Sequence, residues 1–169
     1  MRIDIKPNKK IKTIFITGAT GHIGKEYIYK LSSLGHNIIF TSRNKKKSDK
    51  IIKEAKKIGP AKIECINVDL ENKNYISIIE KHLKKNKIFP EILINNARNK
   101  KNLKLSKNGK LKRVYWESEF LLNVIVPYEL SMHFSLKKNS CLKKIINISS
   151  IYGVVAPNIN IYDNFLIES

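Results

Sequence analysis

The sequence predicts an α/β domain in which a doubly wound parallel sheet carries helices on both faces. Three observations lead there. Short β-branched runs alternate with longer amphipathic stretches, and most of the short runs are apolar continuously rather than at every second residue, as in strands covered on both sides. The chain of 169 residues, 42% apolar, is long enough for one domain with a core of its own. With 7 Gly, 5 Pro and 2 Cys it is neither a collagen-like or disordered chain nor a disulfide scaffold.

Residues 11–17 (IKTIFIT) read as a buried strand that stops at Gly18. A helix follows from Ile23, with Ile23, Tyr27, Leu31 and Leu34 at helical spacing and Gly35 where a left-handed cap belongs. Residues 37–42 (NIIFTS) are the second strand. Ser48 is placed to cap a second helix whose face is Ile51, Ile52, Ala55 and Ile58, and Gly59-Pro60 stops it. The alternation continues with strand 62–68, helix 74–85, strand 91–95, a basic loop, helix 116–136 and strand 144–149. Trp116 and Phe120 are expected to pack the start of that last helix, and Pro127 to kink it or mark a local break. Cys65 and Cys141 read as small packing residues rather than nucleophiles.

The 33 basic and 14 acidic side chains leave a formal charge of +19. That balance invites a nucleic-acid partner, yet only Arg2, Arg43, Arg98 and Arg113 are arginines, and the lysines spread over every polar face as a solvated surface does. The densest basic stretch, 98–113, has no aromatic residue for base stacking until Tyr115 and Trp116. Nucleic acid is therefore disfavoured. No run approaches the roughly 18 apolar residues of a membrane span and no signal peptide is visible, so the cytoplasm is the expected compartment.

Open parallel sheets bind ligands beyond the carboxyl ends of their strands, and those ends hold the candidate residues. The first strand runs into Thr17-Gly18-Ala19-Thr20-Gly21-His22-Ile23-Gly24, where glycines permit a tight turn and let backbone N–H groups approach a diphosphate at a helix N-terminus. This predicts a dinucleotide. His22 has no second ligand at metal spacing and reads as a loop residue, with no metal expected. The second strand closes on Thr41-Ser42-Arg43-Asn44, without the acid that would bind a ribose 2′-hydroxyl, so Ser42 and Arg43 favour NADP(H) over NAD(H).

Taken together, the chain resembles the short-chain dehydrogenase/reductase family from Lys12 to about Tyr162. The matching pieces are the TGATGHIG turn, Val68-Asp69-Leu70, Asn95-Asn96-Ala97, Asn123-Val124 followed by Pro127, and Ile148-Ser149-Ser150. The resemblance implies a basic lead over 1–11, then an NAD(P)-binding Rossmann domain over 12–169 that holds strands one to five. It implies that Asp69 and Leu70 line the adenine, that Asn95, Asn96 and Ala97 line the cofactor and brace the central strand, that Asn123 supports a proton-relay water, and that Ser150 steadies a carbonyl or alcohol substrate. The glycine spacing is similar to a longer branch that modifies sugar nucleotides, which keeps an epimerase or dehydratase as an alternative. A non-catalytic module binding cofactor or nucleic acid is another. Arg98 stands where a glycine is usual. The loop 99–113 and the segment 149–157 resemble reductases of surface-polysaccharide or flagellin-glycan modification, whose substrate would be a sugar derivative.

The family's acid/base is a tyrosine with a lysine four residues on. Here Tyr162 is followed by Leu166, Tyr152 by Ala156, and 145–169 contains no Lys, Arg or His. A free phenol titrates near 10 and needs such a cation to act as a base at neutral pH. Tyr162 is thus a weak candidate, and the expectation is a chain truncated before its acid/base pair, with an incomplete version of the family's oligomer interface and an apolar, poorly covered fifth strand.

Overall fold

The apolar runs pair as one parallel sheet because each is flanked by a helix that returns the chain to the same edge. The computed structural model describes residues 10–99 and 110–155. Its strands are β1 (Thr13–Ile16), β2 (Asn37–Ser42), β3 (Ile63–Asn67), β4 (Ile92–Asn95) and β5 (Lys144–Asn147). Their order in the sheet is β3-β2-β1-β4-β5, every pair parallel. From β1 the chain therefore winds one way to β3 and then back past β1 to β4, which leaves a crevice between the carboxyl ends of β1 and β4.

The helices are α1 (His22–Ser33), α2 (Lys45–Ile58), α3 (Tyr75–Lys85), α4 (Arg113–Phe120) and α5 (Val126–Ser135). Alternate residues of β1, β2 and β4 feed two cores. Ile14, Ile16, Ile38, Phe40 and Ile94 face Ile28 of α1 and Ile51 and Ala55 of α2. Phe15, Ile39 and Leu93 face Tyr75, Ile79 and Leu83 of α3 and Val126, Leu130 and Phe134 of α5, with the Phe15 and Phe134 rings edge-on at 5.2 Å.

Several expectations are corrected. The buried stripe of α1 is Gly24, Ile28 and Ser32, whereas Ile23 and Leu34 are exposed, because small residues allow close packing on α2: Ser32 Oγ donates to the Ala55 carbonyl at 2.8 Å. Ser48 does not cap α2. Asn44 does, its Oδ1 accepting from Lys47 N–H at 2.9 Å, while Ser48 is buried one turn in and donates back to the Asn44 carbonyl. The expected helix 116–136 is two α segments joined by a π turn, Leu121–Ile125, in which Val126 N–H reaches five residues back to the Leu121 carbonyl. Pro127, which has no N–H to donate, follows directly.

Trp116 and Phe120 do not pack inward. They are 64% and 60% exposed, since α4 buries no residue against the sheet. Cys141 is exposed in a loop; Cys65 does pack against the core, and burial pushes its thiol up. Gly35 has φ +73° and closes α1 as expected, with His36 N–H reaching the Leu31 carbonyl. β5 forms the sheet edge, all four residues exposed, as expected of a poorly covered strand. The basic lead lies outside the described residues up to position 9, as do 100–109 of the basic loop and everything from Ala156 onward. Among the described residues no helix is long and apolar enough to cross a membrane.

The amino ends of three strands meet at Glu91. Its N–H and carbonyl continue the ladders to Thr13 and Lys143, and its carboxylate takes Lys12 Nζ at 3.1 Å and Lys143 Nζ at 3.0 Å. These two ammonium groups hold the Glu91 carboxyl down at about 2, against an ordinary 4.5. A depressed folded-state value stabilises the fold above the unfolded value and loses that contribution as pH falls through the folded one. Glu91→Gln is therefore expected to cost about 1 kcal/mol at pH 7, the scale of a partly exposed ion-pair network. In urea unfolding the gap to the parent should persist down to a pH near 4.5 and close toward 2.

Candidate functional site

The crevice at the end of β1 is built around one hydroxyl. Thr17, 1% exposed, accepts at Oγ1 from the N–H groups of Asn96 at 2.9 Å and Ala97 at 3.0 Å, which locks the bend after β1 to the chain leaving β4. Asn96 completes the lock, donating from Nδ2 to the Thr17 carbonyl at 3.0 Å and the Gly18 carbonyl at 3.2 Å. Asn95 is buried below and donates to Asn147 Oδ1 across β4 and β5. Thr17, Asn95 and Asn96 thus lie beneath the crevice as braces, and Ala97 is the member of its segment that reaches the wall.

The bend carries two glycines that tolerate no side chain. Gly18 has φ +64°, and a Cβ there would lie 2.6 Å from Ala97 Cα; at Gly24 a Cβ would lie 2.5 Å from Ala19 Cα. Gly21 differs. It is extended, and a Cβ there would meet only the Gly18 carbonyl oxygen at 3.5 Å, an ordinary van der Waals contact.

Two amides of the bend are already used within the protein: Gly18 N–H donates to Thr41 Oγ1 and Gly21 N–H to the Gly18 carbonyl. Further donors are the first-turn N–H groups of α1 at His22, Ile23 and Gly24, which an α-helix leaves without internal acceptors. Gly21 is the N-cap of α1 and brings no capping side chain, so the positive end of the helix faces the crevice bare. His22 and Ile23 are exposed there, and Gly24 is buried behind them.

A cavity of about 590 Å³ opens above this turn. Gly18, Thr20, Gly21 and His22 form one side, Ser42, Arg43 and Asn44 the next, and Val68, Asp69, Leu70 and Ala97 the far wall. Thr20 Oγ1 lies 3.4 Å from Ser42 Oγ, which also accepts from Asn44 N–H at 3.0 Å and fixes the end of β2. Lys25, Lys47, Lys50 and Arg98 add positive charge around the rim.

One feature of the rim escapes a linear reading. No acid ends β2, but β3 delivers two to the same place: Arg43 Nη1 lies 3.2 Å from Glu71 Oε2 and 3.6 Å from Asp69 Oδ2. Asp69 Oδ1 also accepts from Glu71 N–H at 3.1 Å. Glu71 carries no motif of its own; its place two residues beyond Asp69 is the one signal that could have found it.

The predicted catalytic residues are less closely gathered. Asn123 sits exposed on the π turn and donates to Glu119 Oε2 at 2.8 Å, while its neighbour Leu122 lines the cavity. Glu119 also pairs with Arg98 at 3.8 Å. Ser150 is exposed just past β5, ahead of a 3₁₀ turn at Ile151–Gly153. Tyr162 lies outside the described residues.

Removing the hydroxyl at the lock tests its weight. Thr17→Val keeps the shape but leaves two half-buried N–H groups without that acceptor, for an expected loss of about 1–3 kcal/mol in chemical denaturation, whereas Thr17→Ser stays within about 1 kcal/mol of the parent.

Comparison with known proteins agrees with this architecture. The sequence model of the short chain dehydrogenases matches residues 12–162. A very-long-chain 3-oxoacyl-CoA reductase of Schizosaccharomyces pombe is 33% identical over 69 residues, covering 41% of this chain and 20% of that protein. The bulky-bulky ketone specific alcohol dehydrogenase of Comamonas testosteroni superposes with a TM-score of 0.70 at 24% identity, over 88% of this chain and 60% of that one. A short-chain dehydrogenase of Sphingobium yanoikuyae, solved in complex with NADPH, gives 0.68 at 24% identity over 85% and 55%. The chain thus spans less than two thirds of the length of each. A family match across nearly the whole chain, on a sheet wound in this order around a glycine bend, places the protein in the short-chain dehydrogenase/reductase family.

Proposed function

We propose that residues 12–169 are the cofactor-holding domain of an oxidoreductase that moves hydride between NADP(H) and a small carbonyl or alcohol substrate. The observation that carries this reading is the bare N-terminus of α1, opening on a 590 Å³ cavity with a guanidinium on its opposite rim. A diphosphate fits the first-turn N–H groups of His22, Ile23 and Gly24, whose dipole favours negative charge. Gly18 and Gly21 leave room for it. Asp69 and Leu70 then border the adenine, Ala97 the adjoining ribose, and Ser42 and Arg43 the 2′-phosphate, a dianion suited to a guanidinium fork.

Asn123 and Ser150 are the substrate-side residues of this reading, Ser150 orienting the carbonyl oxygen and Asn123 a water. No tyrosine after Ser150 has a lysine four residues on, so these 169 residues bind cofactor without appreciable turnover. The exposed stripe of Trp116, Phe120, Val124 and Tyr128 supports association with a second copy through α4, the π turn and the start of α5. Two free thiols suit a reducing cytoplasm. The narrower likeness to polysaccharide or flagellin-glycan reductases rests on segments half of whose residues lie outside the described ones, and the relatives above do not extend it.

Fluorescence titration tests the reading. NADPH should give a saturable signal, and none at millimolar cofactor would overturn it. Arg43→Ala should weaken NADPH by roughly 10- to 100-fold, the value of one charge-assisted contact, and leave NADH nearly unchanged. An unchanged ratio of the two affinities would remove Arg43 from the phosphate site.

A further inference from the structure

We propose that Glu71 is a specificity-determining residue: a fixed carboxylate that competes with the cofactor's 2′-phosphate for Arg43 and so weakens this chain's preference for NADP(H). The inference rests on the function proposed above, in which Arg43 takes that phosphate.

Four contacts carry it. Arg43 Nη1 donates to Glu71 Oε2 at 3.2 Å, and the same nitrogen lies 3.6 Å from Asp69 Oδ2, so the guanidinium faces two carboxylates. The other oxygen of Glu71, Oε1, accepts from Ser118 Oγ on α4. The backbone of Glu71 is pinned as well, its N–H donating to Asp69 Oδ1. Glu71 is therefore held from two sides that do not involve Arg43. Arg43, with 48% of its side chain exposed against 27% for Glu71, is the more open partner.

A dianion arriving at Arg43 meets this arrangement in one of two ways. It shares the guanidinium with Glu71, placing like charges on neighbouring donors of one fork, or it draws Arg43 away and leaves Glu71 unpaired beside the phosphate. Both cost binding free energy, and both costs fall only on the 2′-phosphorylated cofactor, since NADH brings a neutral hydroxyl to the same place. Asp69 adds to the field, but its Oδ1 also fixes the turn, so Glu71 is the carboxylate that can be neutralised without loosening the loop. Because Glu71 also holds Ser118, the same residue ties the adenosine rim to the helix that leads into Asn123.

The test uses the full chain and compares dissociation constants of NADPH and NADH by titration calorimetry in the parent, in Glu71→Gln and in Glu117→Gln. Glu71→Gln keeps size and hydrogen-bonding reach while removing the charge. It should tighten NADPH by roughly tenfold and leave NADH within about twofold. Glu117 is an exposed residue on α4 paired with Arg113, so Glu117→Gln makes the same change in net charge away from the rim and should leave the ratio unchanged. An unaltered NADPH-to-NADH ratio in Glu71→Gln, or an equal shift in Glu117→Gln, would overturn the proposal while leaving the cofactor reading intact. A parent chain that binds neither dinucleotide would overturn both.

Discussion

One threonine hydroxyl organises the site. Thr17 Oγ1 accepts two backbone N–H groups from the segment after β4, and Asn96 returns two hydrogen bonds to the carbonyls of the bend after β1. Four bonds between segments 79 residues apart in the Thr17–Asn96 pair hold a glycine turn that would otherwise be free to sample many conformations. Gly18 then passes so close to Ala97 that no side chain fits between them, and the direction of α1 follows. The helix N-terminus points into the crevice because the bend is locked there, and every functional reading of the cavity inherits that geometry.

Around this fixed point the chain distributes its charge unevenly. A surface carrying +19 overall brings Lys25, Lys47, Lys50, Arg43 and Arg98 to the cavity, yet sets Asp69 and Glu71 against Arg43, the guanidinium just past β2. In the function proposed above, long-range attraction of an anionic cofactor and local discrimination between two such cofactors fall to different residues. On the opposite side of the sheet's length, Glu91 closes the amino ends of β1, β4 and β5 with two lysines, so the same central strands are clamped at both ends.

The parts of the fold that could be read from the sequence are those governed by local chemistry. β2 lies at 37–42 as expected, because a β-branched run between Gly35 and the polar 43–47 segment has few alternatives. The glycine bend and its neighbours, the four following strand ends and the left-handed Gly35 also follow from residue type and spacing. What the sequence hid was set by distant partners. Ser48 looks like a cap until Asn44 is seen to reach Lys47 first. Trp116 and Phe120 repeat at helical spacing, but spacing does not say that α4 stands clear of the sheet. Asn95 and Asn96 belong to the site as braces rather than walls, because the Asn95 side chain is spent on Asn147 and that of Asn96 on the Thr17 and Gly18 carbonyls. Glu71 reaches Arg43 across 28 residues, and no local pattern records the meeting.

In the proposed function the first turn of α1, oriented by the lock at Thr17, receives a diphosphate. Nuclear magnetic resonance on the isotope-labelled chain addresses this directly through backbone amide shifts during addition of NADPH. Saturable shifts are expected at His22, Ile23 and Gly24, with smaller ones at Asp69 and Ala97 and none at the amino-end cluster around Glu91. Amides of the α1 turn that stay in place while cofactor binds elsewhere, or that never respond at millimolar cofactor, would contradict it.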